Sequence, residues 1–343
     1  MSIVRVLVTV GLEPALVERI QAVDPRVDAQ VLAREETLLF WGRPLPPGTD
    51  ADGVRKALEK ALATAEVLYG FPPAPDRAAQ LLGHAPRLRW FQAASAGVDR
   101  LEAGGLLGRQ VLVTTSSGIH ATPISEYVLG IMLMFAKGVH RSVRAQARRE
   151  WSRYLASELR GKTVGIVGMG HIGSEVARLA KAFGCQVLAI RRSALSQGAD
   201  AALADQLFLP ADLPYLLGES DFVVLAVPLT AETRHLIDER ALQAMKPTAH
   251  LINISRGAVV DEAALTQALK EGRIAGAGLD VFEREPLPAD SELWDMENVV
   301  ITPHISGGTE LYFQRAVELF CDNLRRYLAG EPLINVVDPE RGY

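Results

Sequence analysis

The sequence predicts an α/β protein built from two doubly wound parallel sheets. Three observations predict it. Short apolar runs alternate with helical stretches along most of the 343 residues. Most of those runs lack the polar alternation of a strand with one solvated face, as strands covered on both faces do. Near the middle, the glycine-rich turn GMGHIG (Gly168–Gly173) joins one such run to a helix. A length of 343 residues also suits two cores better than one.

In the first part of the chain the apolar runs RVLVTV, EVLYG, LRWFQ and VLVTT read as buried strands, and Val54–Ala63 has helical spacing. The Pro/Gly-rich stretch FWGRPLPPGTD (Phe40–Asp50) reads as a surface loop. A long helix is expected from Pro123 to about Arg149, with Thr122 as N-cap and Pro123 at the first helical position, where no backbone donor is needed. Its second half, HRSVRAQARRE, is strongly basic and is either a solvated helix surface or an arm that packs on a partner subunit. From Lys162 a second series of strands follows: KTVGIVG, QVLAI, DFVVLAVP, AHLINIS, AGAGLDVF and NVVITPH. Glu310–Tyr327 reads as a helix, and EPLINVV as a strand returning to the first domain.

Composition narrows the function classes. Apolar residues at 48% and charged residues at 22% describe a globular chain, and a net charge of −5 argues against a nucleic-acid binder. The apolar run Val128–Ala136 is too short to span a bilayer. The N-terminal MSIVRVLVTVG lacks a small-residue cleavage site, so no signal peptide is expected. Cys185 and Cys321 form neither a disulfide framework nor a metal-ligand cluster, which suits a reducing, cytoplasmic setting and no metal.

The glycine turn points to a dinucleotide. Gly168 permits the tight turn, Gly170 the close approach of backbone to pyrophosphate, and Gly173 the packing of helix on strand. The helix N-terminus then offers free N–H groups to the phosphates. The next strand, in GCQVLAIRRS (Gly184–Ser193), ends in Arg191 and Arg192, where NAD-binding folds usually place a carboxylate for the ribose hydroxyls. A carboxylate would repel a 2′-phosphate, whereas guanidinium holds it by charge-assisted hydrogen bonds, with Ser193 able to add a hydroxyl. NADPH is therefore the preferred cofactor, with NAD possible.

Three more strand ends carry chemistry. INISRG places Arg256 after one strand, GLDVFEREPLP places Glu285 after the next, and VITPHISGG places His304 after the last. Ligands of open α/β sheets bind outside the carboxyl ends of strands. Reduction of a 2-keto acid needs a hydride, a proton for the carbonyl oxygen and a cation for the carboxylate. Histidine is the natural acid/base near neutral pH, and a neighbouring Glu285 would favour its imidazolium and fix its ring. Arg256 could either fork onto the substrate carboxylate or polarise the keto oxygen.

With these residues in view, the chain resembles the D-isomer-specific 2-hydroxyacid dehydrogenase family over most of its length. ELRGKTVGIVGMGHIG, LAVPLTAETRHLID, LINISRGAVVDEAAL, GAGLDVFEREPLP and NVVITPHISGGT carry the resemblance. It implies that Arg256 binds substrate, that His304 is the acid/base, and that Glu285, directly before Pro286, pairs with it; Glu283 precedes Arg284 and is not the match. It implies that Asp280 contacts the nicotinamide carboxamide, and that His171, Ile172, Val227, Pro228, Thr233, Ile254 and Gly307 also line the cofactor site. It implies a Rossmann cofactor domain, residues 119–305, inserted in a flavodoxin-like substrate domain, residues 1–118 and 306–343. The active site would then lie in a cleft closing about Gly118–Thr122 and Ile305–Gly308. ASAGVDR resembles the loop that receives the substrate carboxylate, making Ala96, Gly97 and Val98 candidates, with Gly70 and Phe71 as the opposite wall unless Phe71 is ordinary core packing. Homodimers are implied as well, within which Trp151 and Tyr154 could reach an active site.

Apart from Arg100, neither GFPPAP nor AASAGVD holds a cation for a phosphate. A small unphosphorylated 2-keto acid of the glyoxylate or hydroxypyruvate kind is thus the expected substrate. Alternatives on the same fold are phosphoglycerate, formate or phosphite dehydrogenases, formate being disfavoured by the Glu285–His304 pair and the lack of a large extension. From another class comes a non-enzymatic NAD(P)-sensing binding protein, which need not retain Arg256, Glu285 and His304 together.

Overall fold

The computed structural model describes residues 3–97, 111–192 and 203–338. The chain divides into two compact units, Met1–Ile119 with Glu310–Tyr343, and His120–Thr309. Val98, Arg100 and Ser193 lie outside the described residues.

The first unit holds a five-stranded parallel sheet in the order β2-β1-β3-β4-β5, formed by β1 (Val4–Val8), β2 (Val27–Val31), β3 (Val67–Gly70), β4 (Trp90–Ala93) and β5 (Leu112–Thr114). That order is the flavodoxin-like one. Every residue of β3 and β4 is buried, as expected of strands with helices on both faces. One face packs Leu7, Leu68 and Phe91 against the helix Ala51–Thr64, and the other packs Val6, Tyr69 and Trp90 against the helix Tyr312–Ala329.

The second unit holds a seven-stranded parallel sheet. Its strands are β6 (Thr163–Val167), β7 (Gln186–Ile190), β8 (Gln206–Phe208), β9 (Phe222–Leu225), β10 (His250–Asn253), β11 (Gly276–Leu279) and β12 (Val299–Ile301). They run in the order β12-β11-β10-β9-β6-β7-β8. The strand order reverses direction between β6 and β9, which is where an open α/β sheet binds its ligand. Pairing sets Ile190, Val167, Leu225, Asn253, Leu279 and Ile301 side by side as last strand residues. Whatever follows them in sequence is therefore delivered to one carboxyl edge.

Four sequence expectations are corrected. The long helix begins at Ala121, with His120 as its N-cap, so Pro123 sits inside the first turn. Proline is tolerated there because the first N–H groups of a helix have no intrahelical acceptor. The helix also breaks at Gly138, in the left-handed conformation, before a second segment Val139–Ala147. Tyr154 fills that corner and donates its hydroxyl hydrogen bond to the Gly138 carbonyl at 2.8 Å. Two strands, β2 and β8, had not been expected. EPLINVV forms one antiparallel bridge, Thr114 to Val336, rather than a strand. Asn335 is left-handed there, and its side-chain amide donates to the Ser117 carbonyl at 2.8 Å, taking the chain out of extended pairing.

The basic segment is tied to its own unit. The Arg144 guanidinium donates to the carbonyls of Met296 and Val299, each at 3.0 Å, and to that of Glu297. Arg148 pairs with Glu150 at 3.0 Å and Glu297 at 3.3 Å, and Arg141 lies over the Tyr154 ring at 4.6 Å. Among the described residues no helix is long and apolar enough to cross a membrane.

Candidate active site

The carboxyl edge of the second sheet collects the candidate residues. At its centre, β6 runs into Gly168, whose φ of +106° suits glycine and whose N–H donates to the Ile190 carbonyl at 3.1 Å. A Cβ there would lie 2.5 Å from the Ala226 carbonyl oxygen. Gly173, on the first turn of the helix His171–Ala182, packs against the Gly168 carbonyl with no room for a side chain. At Gly170, the N-cap, a Cβ would meet nothing within 4 Å. The turn is thus closed on its protein side and open over Gly170, where the helix N-terminus presents its N–H groups and no side chain caps them. That cradle fits the pyrophosphate of a dinucleotide. His171 is exposed and Ile172 half-buried beside it.

Arg191 and Arg192 follow β7 at the same edge, Arg191 half-buried and Arg192 exposed. The Arg191 N–H donates to the Phe208 carbonyl of β8 at 3.1 Å, fixing where the strand ends. Across the glycine turn, after β9, Val227 and Pro228 lead into a loop closed by Thr233, whose hydroxyl donates to the Pro228 carbonyl at 2.7 Å. Thr230, and to a lesser degree Arg192, hold the Glu232 carboxyl of that loop below the usual range.

After β10, Ile254 is buried and Arg256 half-buried. Asn253 plays a part that nothing in its local sequence signals. Its side-chain oxygen accepts from the Ser255 N–H at 3.1 Å and the Ser255 hydroxyl at 2.8 Å, while its amide donates to the Arg256 carbonyl at 3.1 Å. These bonds shape the turn that presents the guanidinium. Gly257 abuts the backbone of Phe282 and Glu283 so closely that no side chain fits. This holds the turn after β10 against the segment carrying Glu285.

After β12, His304 has a φ of +54°, unusual for a residue with a side chain. Its Nδ1 lies 2.7 Å from Glu285 Oε2. The other Glu285 oxygen accepts from the Phe282 N–H at 3.1 Å. Asp280 is fully buried. Its carboxylate accepts from the Thr302 hydroxyl at 2.6 Å and from the N–H groups of Ile305 and Ser306, each at 2.9 Å, while its carbonyl accepts from the His304 N–H at 2.9 Å. Gly307 lies against His120, a Cβ there falling 2.9 Å from the imidazole Cδ2. Burial, reinforced by Arg256, pushes the His120 imidazole below the ordinary histidine range. Nothing in the local sequence marks His120, and the only signal for Thr302 is that it directly precedes the Pro-His pair.

A family model for the D-isomer specific 2-hydroxyacid dehydrogenase NAD binding domain matches residues 129–306. The glyoxylate/hydroxypyruvate reductase B of Pectobacterium carotovorum subsp. carotovorum is 40% identical over 299 residues, covering 85% of this chain and 91% of that protein. The chain belongs to the D-isomer-specific 2-hydroxyacid dehydrogenase family. The glyoxylate reductase of Pyrococcus furiosus is 40% identical over 270 residues, 76% of this chain and 79% of that protein. A crystal structure of a D-isomer specific 2-hydroxyacid dehydrogenase from Xanthobacter autotrophicus Py2, in complex with NADPH and MES, superposes with a TM-score of 0.80 at 30% identity, each chain covered in full. The NADPH-dependent glyoxylate/hydroxypyruvate reductase of Sinorhizobium meliloti, in complex with NADP and sulfate, gives 0.77 at 28% identity, covering 99% of this chain and 100% of that one. This dehydrogenase is accordingly an NAD(P)-dependent oxidoreductase with a Rossmann cofactor domain.

The substrate-loop candidates belong to the first unit. Gly70 is pressed against the Thr9 side chain. Phe71 sits in an aromatic cluster, its ring centroid 6.1 Å from that of Trp41 and 6.2 Å from that of Tyr312. Ala96 is exposed, and the Gly97 carbonyl accepts from the Ser95 hydroxyl at 3.1 Å.

Proposed function

We propose that this dehydrogenase reduces small unphosphorylated 2-keto acids to D-2-hydroxy acids and prefers NADPH to NADH. The observation that carries this is the His304–Glu285 contact at 2.7 Å, on the sheet edge that also bears Arg256 and the open Gly168–Gly173 turn. Bound reduced nicotinamide supplies the hydride. Glu285 takes Nδ1 of His304, which leaves Nε2 to give its proton to the carbonyl oxygen as the alcohol forms. Arg256 binds the substrate by its charge. Asp280, Ile254 and Gly307, with His171, Ile172, Val227, Pro228 and Thr233, are assigned to the cofactor.

Arg191 and Arg192 support the NADPH preference, since two guanidinium groups and no carboxylate follow β7. The relatives named for glyoxylate and hydroxypyruvate reduction, and the neighbours solved with NADPH or NADP, support the same assignment. In the first unit, Ala96 and Gly97 are assigned to the substrate carboxylate, with Gly70 and Phe71 as a wall. Two free, buried cysteines suit a cytoplasmic setting. A homodimer completes the proposal: Trp151 is 94% exposed and Leu155 100%, large apolar side chains that a second copy would cover.

The test is NADPH and NADH oxidation against glyoxylate, hydroxypyruvate, pyruvate and a phosphorylated 2-keto acid, with chiral analysis of the product. Turnover of glyoxylate or hydroxypyruvate, at higher kcat/KM with NADPH and giving the D-isomer where the product is chiral, is expected. Tight cofactor binding without turnover of any keto acid would contradict it and point to a sensing protein.

A further inference from the structure

The turn that carries His304 is held by a directed chain of hydroxyl groups reaching back into the core. Thr302 Oγ1 donates to Asp280 Oδ1 at 2.6 Å, so its lone pair is what remains for Tyr127, whose hydroxyl oxygen lies 2.7 Å away. Tyr127 stands on the helix Ala121–Lys137, half-buried, and burial pushes its phenol up to about 12, so it remains a proton donor. The chain thus runs from Tyr127 to Thr302 to Asp280. Asp280 in turn gathers the N–H groups of Ile305 and Ser306 on its carboxylate and that of His304 on its carbonyl. Those bonds bracket the one residue of the turn whose backbone is left-handed, His304 at φ +54°. Hydrogen bonds donated to a carboxylate are stronger than those between neutral groups, so the Asp280 side chain, accepting from Thr302, Ile305 and Ser306, orders the turn around itself.

We propose that Thr302 and Tyr127 are positioning residues for the acid/base: acting through Asp280, they hold the 302–306 turn so that the His304 ring meets Glu285 and faces the reacting carbonyl. This rests on the assignment of His304 as acid/base. Neither hydroxyl touches the imidazole, and neither need contact substrate or cofactor. Their contribution is therefore to kcat, because a small displacement of a catalytic group from its productive geometry is costly in rate.

The test compares Thr302→Val, Thr302→Ser, Tyr127→Phe and His304→Gln in the full-length protein, with kcat, both KM values and the unfolding midpoint measured for each. Thr302→Val is expected to lower kcat by about tenfold or more while both KM values move by less than about threefold. Thr302→Ser, which keeps the hydroxyl, should restore most of that loss, and Tyr127→Phe should give a smaller drop of about threefold. Unchanged kcat in a folded Thr302→Val would overturn the proposal, as would a Thr302→Ser variant as slow as Thr302→Val, or a loss confined to the KM for NADPH. If Thr302→Val does not fold, Tyr127→Phe decides, and an unchanged kcat there overturns it. If His304→Gln is slow and the hydroxyl variants are not, only the positioning role falls. If His304→Gln keeps its kcat, the acid/base assignment falls and takes this one with it.

Discussion

His304 Nδ1 and Glu285 Oε2 stand 2.7 Å apart across nineteen residues of sequence, with the two side chains 50% and 37% exposed. A partly solvated pair contributes little to stability, so its use must be sought in orientation and proton transfer. Glu285→Gln keeps a hydrogen-bonding group but replaces the carboxylate that meets Nδ1 of His304. It should lower kcat by roughly 10- to 100-fold. Its unfolding midpoint should stay close to that of the wild type. Steady-state kinetics beside thermal unfolding check both parts.

In the proposed NADPH site, Arg191 and Arg192 would offer two cations where a carboxylate would reject the 2′-phosphate. Arg191→Ala should weaken NADPH binding by about 1.5–3 kcal/mol, the range for hydrogen bonds to charged groups, and leave NADH nearly unaffected. Fluorescence titration of both nucleotides measures it. Equal losses for NADPH and NADH would mean that the guanidinium does not read the phosphate.

Gly257 has no room for a Cβ against the Phe282 carbonyl. Gly257→Ala must therefore push the turn carrying Arg256 away from the segment that leads to Glu285. A destabilisation of about 3 kcal/mol or more is expected, from the class of close-packed backbone violations. Chemical denaturation gives the figure, and a variant as stable as the wild type would show that the two backbones separate freely.

How much of this was readable beforehand depended on what each residue's signal was. Apolar strands such as TVGIV and FVVL announced themselves because both faces are covered, and their ends then located Arg256, Glu285 and His304 on one edge. β2, VDAQV, sits at a sheet edge with an exposed Asp28 and Gln30, so its polar alternation hid it among loops. β8 is three residues long and pairs only with β7, too brief to carry a period. At the Gly138 break, Tyr154, sixteen residues on, closes the corner, a tertiary contact that local spacing does not encode. The same holds for Thr302 and Asn253: short polar residues beside motifs look like ordinary turn formers until their partners are seen. That Asp280 is wrapped by donors is likewise a fact of the folded turn.

His250 offers a test away from the chemistry. Its ring packs tilted against Phe135, at 4.4 Å, and stacks on Phe222, at 5.4 Å, and burial lowers its pKa from 6.5 to about 4. With the folded value below the unfolded one, the unfolded chain takes up the proton first. The stability that the neutral ring permits is present above about pH 6.5 and lost as pH falls toward 4, levelling below it. The loss should amount to at most about 3 kcal/mol, less for solvent screening. Denaturant unfolding of wild type and His250→Phe at pH 7 and pH 4.5 isolates this from the carboxylates. The wild type should lose more stability than the variant, and parallel losses would contradict the assignment.

The most direct measurement is kcat for glyoxylate reduction by His304→Gln, taken with the dissociation constant for NADPH. The expected result is a kcat lowered by roughly 10²–10⁴, the usual contribution of a positioned acid/base, with NADPH bound as in the wild type. A variant that reduces glyoxylate at the wild-type rate would contradict the account, because no imidazole would then be delivering the proton.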